Sequence, residues 1–207
     1  MRVVCFDTET TWFPAKNAPI WKQPFIIQRW QICFDTNACN DESDFFWKVD
    51  KLFRPNCSIP KACTDVHGIT DAMVKDADLF FWFFEDVVIP TFDNADLIVA
   101  HNTRFDMKML YIEAVRTGDK RVVDKVLSYK PKTFCTMKTT GPVVRIPKAY
   151  WFKHPKLQEL HKHCFWHEFE DAHNAFADVE ATWKCFVHLL NQWVFKIVDW
   201  SVQVFIP

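Results

Sequence analysis

A short, wholly apolar run from Leu97 to Ala100 places the tightest limit on how this chain can fold. Consecutive apolar residues of this kind are typical of a strand that is buried on both faces of a sheet. The apolar positions after Thr103 recur near helical spacing, so we expect a helix to follow this strand. Three β-rich runs come earlier in the chain. Strands followed by alternating helices and strands predict an α/β domain with a mixed sheet flanked by helices.

The remaining elements follow from apolar periodicity and from turn residues. The predicted strands span residues 2–9, 25–35, 44–53, 97–100 and 133–137. The predicted helices begin at Leu79, Thr103, Lys156 and Ala172. We expect Asp78 to cap the first of these helices and Pro90 to end or kink it. Residues 55–70 are predicted to be a loop, and residues 191–207 form a tail without an assignment.

The composition indicates one globular domain spanning residues 1–207. About half of the residues are hydrophobic and a quarter are charged, which is typical of globular proteins and not of disordered chains. No apolar run reaches the roughly 18 residues of a membrane span, and we find no secretory signal. We therefore expect a cytoplasmic protein without a membrane partner. Its eight cysteines show no paired spacing, so we expect reduced thiols packed as small hydrophobic residues.

Two groups of cysteines and histidines offer an alternative interpretation as zinc sites. The first group consists of Cys57, Cys63 and His67, and the second of His161, His163, Cys164 and His167. Neither group has the two-plus-two spacing of a structural zinc site, so we do not expect either to hold zinc.

Charge is unevenly distributed along the chain. The net charge is −1, which does not favour a general polyanion binder. Between Lys125 and Gln158, however, eight lysines or arginines occur without an aspartate or a glutamate. This basic strip is either a solvated loop region or a surface that holds a phosphate backbone near a site.

The first strand ends in two acidic residues. In the segment VVCFDTETTW, Asp7 and Glu9 are two positions apart, so their side chains leave the strand on the same face. Two anions held close together cost free energy unless a cation neutralises them, and hard divalent ions prefer carboxylate oxygens. The pair by itself is weak evidence, because most such pairs are ordinary strand ends.

Two further polar segments follow or begin predicted elements. AHNTRFDMKML places Asp106 in the first turns of a helix after a buried strand, on the crevice side of an α/β sheet. His101 and Asn102 in the same segment either bind a ligand or satisfy turn backbone. DAHNAFADVEATW contains His173 and Asp178, which can approach one site if His173 lies ahead of the helix or in its first turn.

Taken together, the three segments resemble a known enzyme family. FDTET, AHNTRFD and HNAFAD, in this order and at these separations, resemble the three motifs of the DEDDh 3′–5′ exonucleases, which have a ribonuclease-H-like fold. HGIT at 67–70 and KLQELHKHCF ahead of the third motif are also similar to the family. The resemblance covers about residues 3–190. The family includes the proofreading subunit of a bacterial replicative polymerase.

The resemblance implies a two-metal phosphodiesterase site. Asp7, Glu9, Asp106 and Asp178 would bind two Mg²⁺ or Mn²⁺ ions, and His173 would act as the general base. Two ions about 3.5–4 Å apart can activate a water and stabilise the leaving oxygen. A histidine can take the proton of that water at neutral pH. The implied activity is the release of nucleoside 5′-monophosphates from single-stranded or frayed 3′ ends of DNA, in proofreading or repair.

The resemblance also implies substrate contacts near the metals. The residues concerned are Thr10, Thr11, His67, Asn102 and Phe105. Phe105 and Trp12 are each able to stack on a base or simply to pack. Trp12 and Trp166 stand where we expect a small residue and a turn residue, in a chain with only three glycines. Such large rings can distort the loop over the metals or crowd the substrate end.

Two other functions fit parts of the same pattern. An RNA-directed exonuclease of the oligoribonuclease or ribonuclease T kind would share every catalytic residue and differ in its contacts to the 2′-hydroxyl. A non-catalytic nucleic-acid-binding module would be expected to lack one or more carboxylates, and none is missing here. The family also makes a polymerase partner and a homodimer options for this chain.

Overall fold

The computed structural model describes residues 1–37, 44–170, 174–198 and 201–205. Its strands are β1 (Arg2–Thr10), β2 (Ile26–Asp35), β3 (Trp47–Leu52), β4 (Leu97–Ala100), β5 (Thr133–Cys135), β6 (Pro147–Lys148), β7 (Trp151–Phe152), β8 (Phe195–Val198) and β9 (Ser201–Val204). Its α-helices are α1 (Lys61–His67), α2 (Asp71–Val74), α3 (Ile89–Asn94), α4 (Thr103–Arg116), α5 (Lys120–Ser128), α6 (Thr136–Thr139), α7 (Gly141–Val144), α8 (Leu157–Phe165) and α9 (Ala175–Asn191).

Five of these strands form one mixed sheet in the order β3-β2-β1-β4-β5. β2 runs antiparallel to both of its neighbours, β1 and β3, whereas β4 and β5 run parallel to β1. The predicted α/β sheet is therefore confirmed. The carboxyl ends of the three parallel strands lie at one edge of the sheet, which is where open α/β sheets bind ligands.

Alternation along β1 divides the core into two layers. Val4 and Phe6 are buried against α3, α4 and α5. Val3 and Cys5 are buried on the opposite face, against α8 and α9. Because successive side chains of a strand point to opposite faces, this alternation determines the direction of every polar residue that follows on β1.

The region between β3 and β4 contains more helix than predicted. Residues 55–70 were predicted to be a loop, but they include α1, which ends at Gly68 with a left-handed φ of 75°. Glycine adopts this φ without a steric cost. The sequence did not predict this helix because apolar periodicity is weak over only seven residues, and because two prolines precede it.

The helix predicted from Leu79 has a different structure. Asp78 does not cap it; its carboxylate accepts a 2.7 Å hydrogen bond from Lys51 on β3 instead. A 3-10 turn at Phe80–Trp82 leads into a π-turn at Phe84–Val88 and then into α3. Pro90 lies in the first turn of α3, where a backbone N–H is not needed, so the helix continues to Asn94.

The C-terminal tail, unassigned from its sequence, contains the hairpin of β8 and β9. Phe195 is buried, with its ring 5.1 Å from that of Phe134 and 5.8 Å from that of Phe186. The hairpin thus covers the α9 layer of the core. No helix within the described ranges is both long enough and apolar enough to cross a membrane.

Candidate active site

Three carboxylates converge near the carboxyl end of β1. Asp7 and Glu9 of β1 and Asp178 in the first turn of α9 each place an oxygen within 4.8 Å of the other two. All three side chains are half-buried. In the described part of the chain, no other group of three or more ligating side chains comes this close together. The structure thus brings together two motifs that are separated by about 170 residues of sequence.

The three carboxylates come together because side chains alternate along β1 and because of the way α9 begins. Asp7 and Glu9 lie on the same face of β1 as Cys5, which is the face that α9 covers. The side chain of Asn174 caps α9 by accepting a 3.0 Å hydrogen bond from the backbone N–H of Phe176. The Phe176 ring packs 4.6 Å from that of Trp30 on β2. These contacts hold the first turn of α9 over the carboxyl end of β1.

Asp106 approaches the same centre from the other layer. It lies in the first turn of α4, and 1% of it is exposed. The hydroxyl of Thr8 donates a 2.9 Å hydrogen bond to Asp106 Oδ1. Thr8 stands between Asp7 and Glu9 on β1 and points to the α4 face. Asp106 is not one of the three converging carboxylates, but its charge raises the pKa of both Asp7 and Glu9.

Burial of four acids at one place makes their charged forms costly. Burial raises the pKa of Asp7 well above its ordinary value, and the charges of Asp106, Glu9 and Asp178 raise it further. Burial, followed by the charges of Asp178 and Asp106, raises the pKa of Glu9 to about 8. Burial also raises the pKa of Asp106 to about 7, against the lowering effect of the Thr8 hydroxyl. A bound cation would remove the repulsion between these groups.

The donor set fits a hard divalent ion. The converging atoms are all carboxylate oxygens, and half-burial leaves them open on one side. Neither predicted zinc alternative, the Cys57 group or the His161 group, comes together among the described residues. Cys63 instead donates to the backbone oxygen of Thr11 at 3.1 Å, and His161 bonds the backbone oxygen of His167 at 2.9 Å. The acidic cluster is therefore the candidate metal centre.

A buried arginine beside this centre was missed by the sequence analysis. Arg29 on β2 is the cross-strand partner of Thr8 and is fully buried. Its guanidinium carbon lies 4.8 Å from the ring centre of Phe6 and 4.9 Å from that of Phe92. Within the described chain none of its guanidinium nitrogens has a hydrogen-bond partner. Burial lowers its pKa to about 9, while nearby Cys33 and Asp106 act in the opposite direction.

Thr10 and Thr11, predicted to contact substrate, are both engaged within the protein. Thr10 Oγ1 donates to the backbone oxygen of Trp12 at 2.9 Å. Thr11 Oγ1 accepts from the backbone N–H of Phe25 at 2.9 Å, and the Thr11 N–H donates to the Phe25 oxygen. These bonds fix the turn by which the chain leaves the acidic cluster.

His67 and Phe105 lie beside the same turn. Burial lowers the pKa of His67, while the Thr10 backbone acts in the opposite direction. His67 Nδ1 accepts from the backbone N–H of Ile69 at 3.1 Å, which orients the ring. The half-buried Phe105 ring packs edge-on against the exposed Phe13, with centroids 5.9 Å apart. The turn thus carries aromatic surface next to the carboxylates.

The polar residues that follow β4 have distinct surroundings. Asn102 precedes α4 in the left-handed region, with φ 77°, and its side chain does not cap the helix. His101 contacts Thr136 Oγ1 at 3.0 Å and the backbone oxygen of Pro155 at 3.1 Å. Burial lowers the pKa of His101 to about 4. His101 therefore satisfies local groups as a neutral ring. His173, predicted to be the general base, lies outside the described residues.

The model of the exonuclease family named RNase_T matches residues 4–186. This chain belongs to that exonuclease family. The match spans all three motif segments, and it confirms the recognition of an exonuclease made from the sequence. A comparison with curated proteins finds no significant match.

Solved structures with the ribonuclease-H-like exonuclease fold resemble this exonuclease along most of its length. The nuclease domain of 3′hExo, a DEDDh family member bound to rAMP, is 16% identical with a TM-score of 0.69, covering 99% of this chain and 96% of that one. A 3′-exonuclease recognising the histone mRNA stem-loop is 15% identical with a TM-score of 0.67, covering 99% and 90%. E. coli ExoI with single-stranded DNA is 18% identical with a TM-score of 0.67, covering 92% of this chain and 41% of that one. These likenesses confirm the fold.

The basic strip is divided between two roles in the exonuclease. Lys125 pairs with Asp93 at 3.0 Å, and Lys153 pairs with Glu159 at 2.5 Å. Lys132 donates to backbone oxygens at the end of α3. Lys130 and Lys138 instead line a groove together with residues of α4. The sequence identified the basic strip. Which of its lysines form ion pairs and which line the groove depends on the tertiary structure.

Proposed function

We propose that this exonuclease is a metal-dependent 3′–5′ enzyme that hydrolyses phosphodiester bonds at the 3′ end of DNA and releases nucleoside 5′-monophosphates. The observation that carries the proposal is the convergence of Asp7, Glu9 and Asp178 within 4.8 Å, with Asp106 adjacent. The pKa values of Asp7, Glu9 and Asp106 are raised, and a site of this kind is stable when divalent cations neutralise it. Residues 1–207 would form one exonuclease domain.

Each carboxylate has a role in this proposal. Asp7, Glu9, Asp106 and Asp178 would hold two Mg²⁺ or Mn²⁺ ions, which supply activation of a water and stabilisation of the leaving oxygen when bound. The rigid β1 strand would set the position of two of these ligands, and the first turns of α4 and α9 would set the others. Pre-set ligand positions reduce the reorganisation needed as charge develops on the phosphate.

His173 would be the general base. Asn174, the residue that caps α9, is its immediate neighbour, and Asp178 lies in the first turn that follows. The similarity of HNAFAD to the third DEDDh motif supports this role. At neutral pH an imidazole accepts a proton efficiently, because its ordinary pKa is close to the working pH.

The terminal nucleotide would lie on the turn after β1. Its sugar and phosphate would contact Thr10, Thr11 and Asn102. His67 and Phe105 would contact the nucleotide from the sides. The exposed rings of Trp12 and Phe13 lie beside Phe105 and offer a surface for base stacking.

RNA is the second candidate substrate. One structural neighbour recognises a histone mRNA stem-loop and another is bound to the ribonucleotide rAMP, whereas E. coli ExoI is bound to single-stranded DNA. DNA and RNA enzymes of this fold would share the carboxylates and differ at the 2′-hydroxyl. A polymerase partner and a homodimer remain predictions, which co-purification and sedimentation equilibrium would test.

The test is degradation of a 5′-labelled single-stranded DNA and its RNA counterpart, with Mg²⁺, with Mn²⁺ and with EDTA. We expect a metal-dependent ladder that shortens from the 3′ end and that disappears in Asp7→Asn and His173→Ala. Asp124→Asn, at an exposed position on α5, is the matched control and should retain full activity. Activity that survives in Asp7→Asn would show that the site is misassigned. No degradation by the folded wild type would favour a non-catalytic binding module.

A further inference from the structure

A second polar feature lies beside the acidic cluster, on the outer side of α4. A groove of about 1040 Å³ is lined by residues of α4, the end of α5, β5 and α6. Arg104 and Lys108, one helical turn apart on α4, both line it. Lys130 and Lys138 of the basic strip line it as well. We refer to Arg104, Lys108, Lys130, Lys138 and the surface between them as the basic groove.

The charges of the basic groove have no acidic counterpart in the described part of the chain. All four cationic side chains are exposed, and no described acidic residue lines the groove. Among the described residues, none of the four makes an ion pair, although other lysines of this chain do, such as Lys125 and Lys153. Four unpaired cations in one concave surface, on a protein of net charge −1, produce a local positive potential. That potential attracts a polyanion.

The lining of the basic groove also contains apolar side chains. They include Met107, Tyr111, Leu127 and Met137, and 55% of Leu127 is exposed to solvent. The ammonium of Lys108 lies 4.8 Å from the centre of the Tyr111 ring. A surface that combines cations with apolar groups fits a nucleic-acid strand, whose phosphates are charged and whose bases and sugars are not. An inorganic anion would need only the cations.

The position of the basic groove connects it with the carboxylates. Asn102 and Thr103, which follow β4, and Cys135, which ends β5, line the groove. The acidic cluster lies at the end of β1, and these three parallel strands end at the same edge of the sheet. Adjacent strands are about 5 Å apart, so the ends of β4 and β5 lie within about 10 Å of the end of β1 along the sheet. A strand bound at the cluster would enter the groove within a few nucleotides.

We propose that the basic groove holds the backbone of the nucleotides upstream of the 3′-terminal bond, so that the substrate class is a single-stranded polynucleotide and not a dinucleotide. This inference rests on the proposed 3′–5′ exonuclease function. It distinguishes this chain from an enzyme specialised for very short oligonucleotides, which would gain nothing from cations beyond the terminal residue. Phosphate contacts of this kind carry affinity without base specificity.

The test compares substrates of increasing length with a charge-reversed groove. The groove variant is the Lys130→Glu, Lys138→Glu double substitution. Its control, Lys75→Glu with Lys162→Glu, makes the same change in net charge at exposed positions outside the groove. The substrates are single-stranded oligonucleotides of 2, 4, 8 and 16 nucleotides, together with the p-nitrophenyl ester of thymidine 5′-monophosphate. The ester has no upstream phosphate and reports on the catalytic centre alone.

For the wild type and the control we expect kcat/KM to rise with length between the dinucleotide and the 16-mer. The groove variant should lose at least tenfold on the 16-mer and remain within twofold on the ester. The slope of log KM against log salt should fall by about 1.4 for two lost phosphate contacts on a single strand. Unchanged length dependence, or an equal loss on ester and 16-mer, would overturn the proposal.

A binding measurement separates failure of the groove from failure of the proposed function. If the wild type hydrolyses neither ester nor oligonucleotide, the exonuclease function fails on its own. Fluorescence anisotropy of a labelled 16-mer with the Asp7→Asn protein then tests the groove. We expect at least tenfold weaker binding when the groove substitutions are added, and no change with the control pair. If the groove substitutions weaken binding of a duplex but not of the single-stranded 16-mer, the groove holds a complementary strand, and the proposal is overturned.

Discussion

Thr8 of β1 donates a 2.9 Å hydrogen bond to Asp106 of α4, and this bond joins the sheet to α4 beside the acidic cluster. Burial raises the pKa of Asp106 to about 7, and the Thr8 hydroxyl is the strongest influence that lowers it. A threonine without any catalytic chemistry of its own therefore helps to keep a candidate metal ligand ionised. This relationship can be tested by removing the hydroxyl.

Thr8→Val should weaken metal binding. The substitution keeps the shape of the side chain but removes a hydrogen bond to a charged group, which contributes about 1.5–3 kcal/mol. The pKa of Asp106 should rise, so that more of it is protonated at pH 7. We expect roughly tenfold weaker Mn²⁺ binding by calorimetry at pH 7 and an acidic limb of the activity profile that shifts to higher pH.

The control for Thr8 is Thr91→Val. Thr91 is equally buried, but its hydroxyl donates to backbone oxygens of its own helical region, Val87 and Val88. This variant should bind Mn²⁺ as tightly as the wild type. Equal weakening in both variants would mean that loss of a buried hydroxyl, and not loss of the bond to Asp106, is responsible.

The metal-free protein should lose stability as pH rises. The folded-state pKa is about 8 for Glu9 and about 7 for Asp106, above the ordinary values near 4 that hold in the unfolded chain. Protons are bound more tightly in the folded state, so their stabilising effect is complete below about pH 4 and disappears as pH rises through 8. The melting temperature in EDTA should therefore be lower at pH 8.5 than at pH 5.5.

Metal and an isosteric substitution provide the check on this pH dependence. Millimolar Mn²⁺ should restore much of the lost stability at pH 8.5, because it binds the ionised cluster of the folded state. Asp7→Asn in EDTA should melt at a higher temperature than the wild type at pH 8.5, because one buried charge is removed. A flat melting temperature across this range in EDTA would contradict the raised pKa values.

Arg29→Met should stabilise the metal-free protein. The guanidinium is fully buried without a hydrogen-bond partner in the described chain, and an unsatisfied buried polar group costs about 1–3 kcal/mol. Methionine has a similar length and packs against Phe6 and Phe92 without this cost. We expect the free energy of unfolding in urea to increase by about 1 kcal/mol.

Arg116→Met is the matched comparison, and it should have the opposite effect. Arg116 pairs with buried Glu113 at 2.8 Å and donates to the backbone oxygens of Pro24 and Gln23. Its removal leaves Glu113 without its partner, so we expect a loss of about 3 kcal/mol. If both arginine substitutions destabilise the protein to the same extent, the ring contacts of Arg29 contribute more stability than its missing hydrogen bonds cost.

Trp166→Gly should also stabilise the protein. Trp166 follows α8 with φ 70°, and 89% of it is exposed, so the ring adds little packing. A non-glycine residue in the left-handed region costs about 1–2 kcal/mol, and glycine removes that cost. We expect a gain of about 1 kcal/mol in urea unfolding. Trp12→Gly should give no such gain, because Trp12 does not have a positive φ.

The sequence alone determined the fold class and the acidic positions. The apolar run Leu97–Ala100 is buried on both faces as β4, since a strand inside a parallel sheet has no solvated side. Asp7 and Glu9 share a face because the side-chain period of a strand is two. The wrong predictions concerned residues 55–70 and the helix near Asp78, where short elements and a tertiary partner, Lys51, outweighed local signals.

Only the tertiary structure decided which polar groups come together. The layer packing brings Asp178 of α9 to Asp7 from one side and Asp106 of α4 from the other, and it buries Arg29 beside them. It also selects Lys130 and Lys138 from the basic strip for a groove while other lysines form ion pairs. Sequence periodicity assigns a face to a side chain, but distances between elements depend on how those faces pack. For that reason the motifs were readable from the chain, whereas the electrostatics of the site were not.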